Sequence, residues 1–209
     1  MIELNIDNYR KIKILDKFLQ GHKGFVAGGC FKNILNNEHI KDIDVFFRNR
    51  EDFSQAVQYF DTMTSSYVGI NKRNANYIFI YQNTNIKAYK HIETGIVVEL
   101  NQKIFGSPID IISQFDFTIT KIAYYKEANS GLLKDKLICT NDFFEHLFTK
   151  RLVIDDKIPF PMSTFERMIK YIKYGYMPCR ETKMKIAKEI HNMKLEEIIA
   201  NKSLYDGFD

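Results

Sequence analysis

The 209-residue sequence predicts an α+β fold, a mixed sheet flanked by helices and followed by a small C-terminal helical region. Three observations predict it. Helical and extended patterns alternate as α-β-turn-α-β-α through about residue 62; a run of short apolar strands follows to about residue 125; helical periodicity then takes over to the end. The change of texture falls around Asn129-Ser130-Gly131 and Pro159-Phe160-Pro161, which suggests a main domain over 1–126 and a helical neck-like region over 127–209, packed together without a flexible linker.

Tyr9 to Gln20 carries Ile12, Leu15, Phe18 and Leu19 at helical spacing, and Gly21 stops it. Gly24 to Ala27 is a short apolar strand, Gly28-Gly29 a turn, and Cys30 to Leu35 a short helix. Asp42 to Phe47 reads as a strand. Glu51 to Thr62 is an amphipathic helix with Phe53, Val57 and Phe60 on one face. Tyr67 to Ile70, Asn76 to Tyr81, Ile86 to Tyr89 and Ile96 to Leu100 are strands separated by turns. Ile109 to Ile112 begins a helix or turn, and Phe117 to Tyr125 reads as helix or strand. Asn141 to Phe148 is helical. Ser163 to Tyr174 is a helix that Ser163 or Thr164 can cap and Gly175 ends, and Glu181 to Ala200 forms one or two more.

With 45% hydrophobic and 27% charged residues the chain is an ordinary folded protein. No stretch approaches the roughly 20 apolar residues of a membrane helix. The charged N-terminus is unlike a signal peptide, so a cytoplasmic protein is expected. Cys30, Cys139 and Cys179 are an odd number at wide spacing, which argues for a reducing compartment. Neither they nor the five scattered histidines show zinc-ligand spacing. The net charge of +4 is mild but uneven. Arg167, Lys170, Lys173, Arg180, Lys183, Lys185, Lys188, Lys194 and Lys202 fall in the C-terminal helices, with Tyr171, Tyr174 and Tyr176 among the first of them. That mixture suits a nucleic-acid backbone with unstacked bases, and equally a solvated helix face.

The chemistry is concentrated in Gly28-Gly29 followed by Asp42-Ile43-Asp44-Val45. Residues i and i+2 of a strand share a face, so Asp42 and Asp44 project together about 7 Å apart. Two such carboxylates make a poor apolar surface and a good place for Mg²⁺, which takes one or two carboxylates plus substrate phosphates. Gly28 and Gly29 allow close approach of backbone amides to a triphosphate, and Lys32 is placed to add a cation. A third acid normally completes such a site. Glu99, inside the apolar run Val97 to Leu100, and Asp116, before the buried run Phe117-Thr118-Ile119, stand level as candidates. Asp110 reads instead as a helix-start acid serving the dipole.

In these motifs the chain resembles the head domain of the tRNA nucleotidyltransferase and bacterial poly(A) polymerase family, within the polymerase-beta-like nucleotidyltransferase superfamily. Gly28-Gly29-Cys30-Phe31-Lys32-Asn33, Asp42-Ile43-Asp44, Val98-Glu99-Leu100 and Asp116-Phe117-Thr118-Ile119 follow the family's order over residues 24–125. Phe165 to Tyr171 with Gly175-Tyr176 is similar to its neck helix, so the likeness covers about three-quarters of the chain. It implies a nucleotidyltransferase-type sheet, metal binding at Asp42 and Asp44, and catalysis by these with Asp116 or Glu99. Gly28, Gly29 and Lys32 would hold the triphosphate, and Arg167 and Lys170 the incoming nucleotide. Departures are Lys32-Asn33 for Arg-Asp, Gln114-Phe115 for Arg-Arg, and no Glu-Asp pair before Arg167. The chain is also short for a tRNA-measuring body, which marks a minimal, phage-type member.

The expected function is Mg²⁺-dependent transfer of a nucleoside monophosphate from a nucleoside triphosphate to an RNA 3′ end, with tRNA as the acceptor. Two alternatives are a toxin- or defence-type enzyme modifying a protein or small molecule, and a degenerate head domain that only binds RNA. No membrane partner is expected, and oligomeric state is not legible.

Overall fold

In the computed structural model the described residues are 1–64, 75–129, 132–155 and 158–194. Among the described residues, ten strands and six α-helices, with two 3₁₀ segments, follow one another. They are β1 (Ile2–Leu4), a 3₁₀ helix (Ile6–Phe18), β2 (Phe25–Ala27), α1 (Cys30–Asn36), β3 (Asp42–Phe47) and α2 (Arg50–Thr62). Next come β4 (Tyr77–Gln82), β5 (Ile86–His91), β6 (Val97–Phe105), α3 (Pro108–Ser113) and a 3₁₀ turn (Thr118–Thr120). β7 (Ile122–Asn129), β8 (Leu132–Cys139), α4 (Phe143–Phe148), β9 (Arg151–Leu152), α5 (Pro161–Lys173), β10 (Met177–Pro178) and α6 (Arg180–Asn192) complete the series.

The α+β expectation holds. Eight strands form one mixed sheet in the order β1-β8-β7-β2-β3-β6-β5-β4. Only β3 and β6 pair in parallel within it; the other neighbours are antiparallel. β9 and β10 make a separate parallel ribbon.

One face of the sheet carries the main core. Val26, Ile43, Val45, Val98, Leu100 and Tyr89 point into it, against Phe31 of α1, Phe60 of α2 and the 3₁₀ helix. That first helix differs from expectation in type and start. Ile6, Tyr9, Ile12, Leu15 and Phe18 recur every three residues, the period at which 3₁₀ side chains line up, and four of the five are buried. A kink at Tyr9 (φ −129°, ψ 42°) breaks the run. The other face has a smaller cluster: Phe25, Ala27, Phe46 and Ala123 lie under Ile111 and Ile112 of α3. Asp110 accepts from the backbone N–H and hydroxyl of Ser107 at 2.9 and 2.6 Å, so this acid caps α3 as expected.

Several boundaries need correction. β8 was not anticipated, because Lys134-Asp135-Lys136 interrupts its apolar pattern; it pairs along its full length with β7. The sheet therefore runs through residues 126–127 and on to Cys139, and the change to helices comes after it. Phe117 to Tyr125 is divided between the 3₁₀ turn and the start of β7. α5 begins at Pro161, whose missing N–H and fixed φ suit the first helical position, with Phe160 before it. Ser163 and Thr164 are thus buried inside the helix and cap nothing. Gly175, at φ +84°, ends α5 as expected. The expected strand Tyr67–Ile70 and the stretch beyond residue 194 lie outside the described residues.

Candidate active site

Asp42 and Asp44 share the face of β3 that carries the smaller core, at the end of the strand that α3 leaves uncovered. Asp42 is exposed, Asp44 half-buried, and the intervening Ile43 is buried in the main core. Two residues on, Phe46 packs against Phe25 and Phe115 beneath α3. The same strand thus anchors one end apolar and presents two acids at the other.

Glu99 joins them through sheet register. β3 and β6 run parallel with Asp44 opposite Glu99, and directly paired residues project to one face. Strand separation places the two backbones about 4.8 Å apart. The electrostatics follow from this placement. Burial pushes the Asp44 carboxyl well above its usual range, and the charges of Glu99 and then Asp42 push it further; Lys170 pulls it back. Glu99 is raised by burial and by Asp42, and lowered by a hydrogen bond from Tyr81 and by Lys170. Lys170, on α5, is therefore the cation that acts on both acids.

Gly28 sits beside this cluster. Its φ of +101° is one that side-chain-bearing residues rarely adopt, and a methyl group there would stand 3.5 Å from Asp44 Oδ2 and 3.7 Å from Phe115. Gly29 is approached by the hydroxyl of Tyr171, which a methyl group would meet at 3.4 Å. Cys30 follows within reach of Asp44 and Asp42, but burial holds its thiol protonated, so it supplies no thiolate.

The remaining sequence candidates are committed elsewhere. Asp116 is buried; its Oδ2 receives Arg167 Nε at 2.9 Å and Nη2 at 2.7 Å, and its Oδ1 receives the Phe117 N–H at 2.8 Å. Neither Asp116 nor Arg167 is among the charges that shift Asp44 or Glu99. Tyr171 lies between the groups and feels both Asp116 and Asp44. Lys32 is buried and paired with Glu38 at 2.7 Å, with its ammonium 4.9 Å from the Tyr174 ring centroid. The structure therefore brings together Asp42, Asp44, Glu99, Gly28 and Lys170; it pairs Asp116, just before the 3₁₀ turn, with Arg167 of α5, and Lys32 of α1 with Glu38. Tyr81 was missed: five consecutive large residues, Tyr77 to Tyr81, conceal which of them faces the acids.

Among the described residues no three carboxylate, imidazole or thiol groups stand close enough to form a complete metal cage. The donor set nonetheless fits magnesium: hard oxygen ligands on one face, with Asp42 exposed to solvent, where substrate phosphates would complete the shell.

The fold is that of the nucleotidyltransferases. A CCA-adding enzyme in its apo form superposes at TM-score 0.57 with 13% identity, over 93% of this chain and 45% of that one. A CCA-adding enzyme in complex with CTP gives 0.55 and 14%, over 90% and 42%. A tRNA nucleotidyltransferase complexed with a primer tRNA and an ATP analogue gives 0.52 and 14%, over 87% and 50%. At these identities the likeness is one of fold, and the chain spans half or less of each. The sequence narrows the class. Residues 2–150 match the model of the Gabija anti-defense 2 family protein, and the chain belongs to that family. A curated relative, Gabija anti-defense 2 of Bacillus phage SPbetaL7, is 23% identical over 159 residues, covering 76% of this chain and 35% of its own length. The chain thus spans about a third of that relative. No helix of the described residues is long and apolar enough to cross a membrane.

Proposed function

We propose that the chain is a divalent-metal-dependent nucleotidyltransferase that moves a nucleoside monophosphate from a nucleoside triphosphate to an acceptor and releases pyrophosphate. The observation that carries this reading is the register of β3 on β6, which sets Glu99 beside Asp44 on the face shared with Asp42. Asp42 and Asp44, with Glu99 beside them, would hold Mg²⁺ together with the substrate phosphates. When bound, the metal supplies neutralising charge for the triphosphate and for the leaving pyrophosphate. Lys170 contributes positive charge above the acids, and Gly28 keeps the space beside Asp44 clear for substrate. Burial raises the Asp44 carboxyl first, and the charges of Glu99 and Asp42 raise it further; positioning and charge neutralisation would provide most of the rate.

The acceptor is read first as an RNA 3′ end, with tRNA foremost. Solved relatives of this fold include complexes named for tRNA and for CTP, and Lys183, Lys185 and Lys188 are exposed along α6. Family membership favours a second reading, in which the transfer acts against the Gabija defence by modifying one of its molecules. The test is incubation of the full chain with Mg²⁺, each α-labelled nucleoside triphosphate, total RNA and lysate of Gabija-bearing cells. Label entering RNA supports the first acceptor, and label entering a Gabija protein the second. Asp44→Asn is expected to lower either product at least 100-fold; equal labelling by wild type and variant overturns the reaction itself.

A further inference from the structure

Four residues lie in one row across four strands. Asp44 of β3 pairs with Glu99 of β6, Glu99 with Ala88 of β5, and Ala88 with Tyr81 of β4. Residues paired in this way share a face, so the row runs from the acids to the far strand of the sheet. At its end the Tyr81 hydroxyl donates to Glu99 Oε1 at 2.6 Å. Two strand spacings, about 10 Å, separate the two backbones. The bond forms because the intervening position is an alanine, whose methyl group leaves the ring room to lie across β5; Ala88 is fully buried.

Tyr81 reaches this row only through an irregularity in β4. Tyr77, Ile78 and Phe79 pair in sequence with His91, Lys90 and Tyr89, and Tyr81 then pairs with Ala88, leaving Ile80 as an extra residue. Without that bulge Tyr81 would stand opposite Lys87, which points to the other face and pairs with Asp61 of α2. Bulges re-aim side chains and occur beside active sites. The ring is 37% exposed, so the bond to Glu99 is not a by-product of core packing.

We propose that Tyr81, aimed by the bulge at Ile80, is a positioning residue that fixes the Glu99 carboxylate for metal binding and nucleotidyl transfer. The inference rests on the reading of Asp42, Asp44 and Glu99 as the reaction centre, and deepens it. Partners that orient a ligating carboxylate are worth about 10–100-fold in metal affinity or activity. Tyr81 engages one Glu99 oxygen, Oε1, and so restricts how the carboxylate can turn.

The experiment titrates the full chain with Mn²⁺ alone, reading free Mn²⁺ by electron paramagnetic resonance, and follows pyrophosphate release in parallel. Wild type, Tyr81→Phe, Glu99→Gln and Asp44→Asn are compared. Tyr81→Phe removes one exposed hydroxyl, so its Tm is expected to match wild type. Its Mn²⁺ affinity is expected to fall about 10-fold and its kcat to fall with KM for the nucleotide unchanged. If Tyr81→Phe binds Mn²⁺ and turns over like wild type while Glu99→Gln and Asp44→Asn lose both, the role of Tyr81 is overturned and the site reading stands. If wild type itself neither binds Mn²⁺ nor releases pyrophosphate, both fall together.

Discussion

Asp116 and Arg167 show how one residue's surroundings decide its task. The carboxylate is 4% exposed at the side chain and takes three hydrogen bonds, two of them from the guanidinium on α5. Arg167→Ala would leave that charge buried without its partner, a change that costs about 3–5 kcal/mol. Urea unfolding at pH 7 checks this, and a loss below 1 kcal/mol would mean that water replaces the guanidinium. Such long-range ties were not legible in the sequence. Asp116 and Glu99 stood level there because each precedes or interrupts an apolar run, and nothing local reveals that Arg167 returns 51 residues later to neutralise Asp116. Asp42 and Asp44 were legible, because the two-residue strand period alone places them on one side. Lys32 shows the same limit as Asp116: its charge is visible in the sequence, but its pairing with Glu38 depends on where α1 ends, at Asn37 in the left-handed conformation.

At the scale of elements, those with a clean period were legible and those whose pattern is interrupted were not. β3 and α1 were expected nearly to the residue, whereas β8 was hidden by its central charges and the bulge of β4 by an unbroken apolar run. The junction between the 3₁₀ helix and β2 carries a titrating lock. His22 Nδ1 accepts from the Gly24 N–H at 3.0 Å, so Nε2 carries the proton and donates to the Phe18 carbonyl at 3.0 Å. The rings of Phe47, Tyr59 and Phe60 surround it. Burial lowers its pKa to about 4. The folded state therefore resists protonation while the unfolded chain takes up a proton near the ordinary value of about 6.5. The junction is fully stable above that value and loses stability as pH falls from about 6.5 to about 4. Between pH 7 and 4.5 the loss should be about 2–3 kcal/mol. Comparing the urea midpoints of wild type and His22→Gln at both pH values isolates it, since the raised carboxyls of Asp44 and Glu99 act with the opposite sign in both proteins. An identical pH dependence in the two would rule the lock out.

For the whole molecule, fold class was the most legible property, because it follows from the order of elements rather than their boundaries. The sheet then does what no local pattern reports: it sets two acids from β3 beside one from β6 and places α5 with Lys170 above them. The chain has the nucleotidyltransferase fold and belongs to the Gabija anti-defense 2 family. The account turns on the three acids of the parallel pair working as one centre, with Asp116 serving the packing of α5. Pyrophosphate release by the full chain, measured side by side for Glu99→Gln and Asp116→Asn at a temperature where both are folded, decides it. Glu99→Gln is expected to lose at least 100-fold in kcat at unchanged Tm, while folded Asp116→Asn stays within 10-fold of wild type. A Glu99→Gln variant that releases pyrophosphate at the wild-type rate would contradict the account.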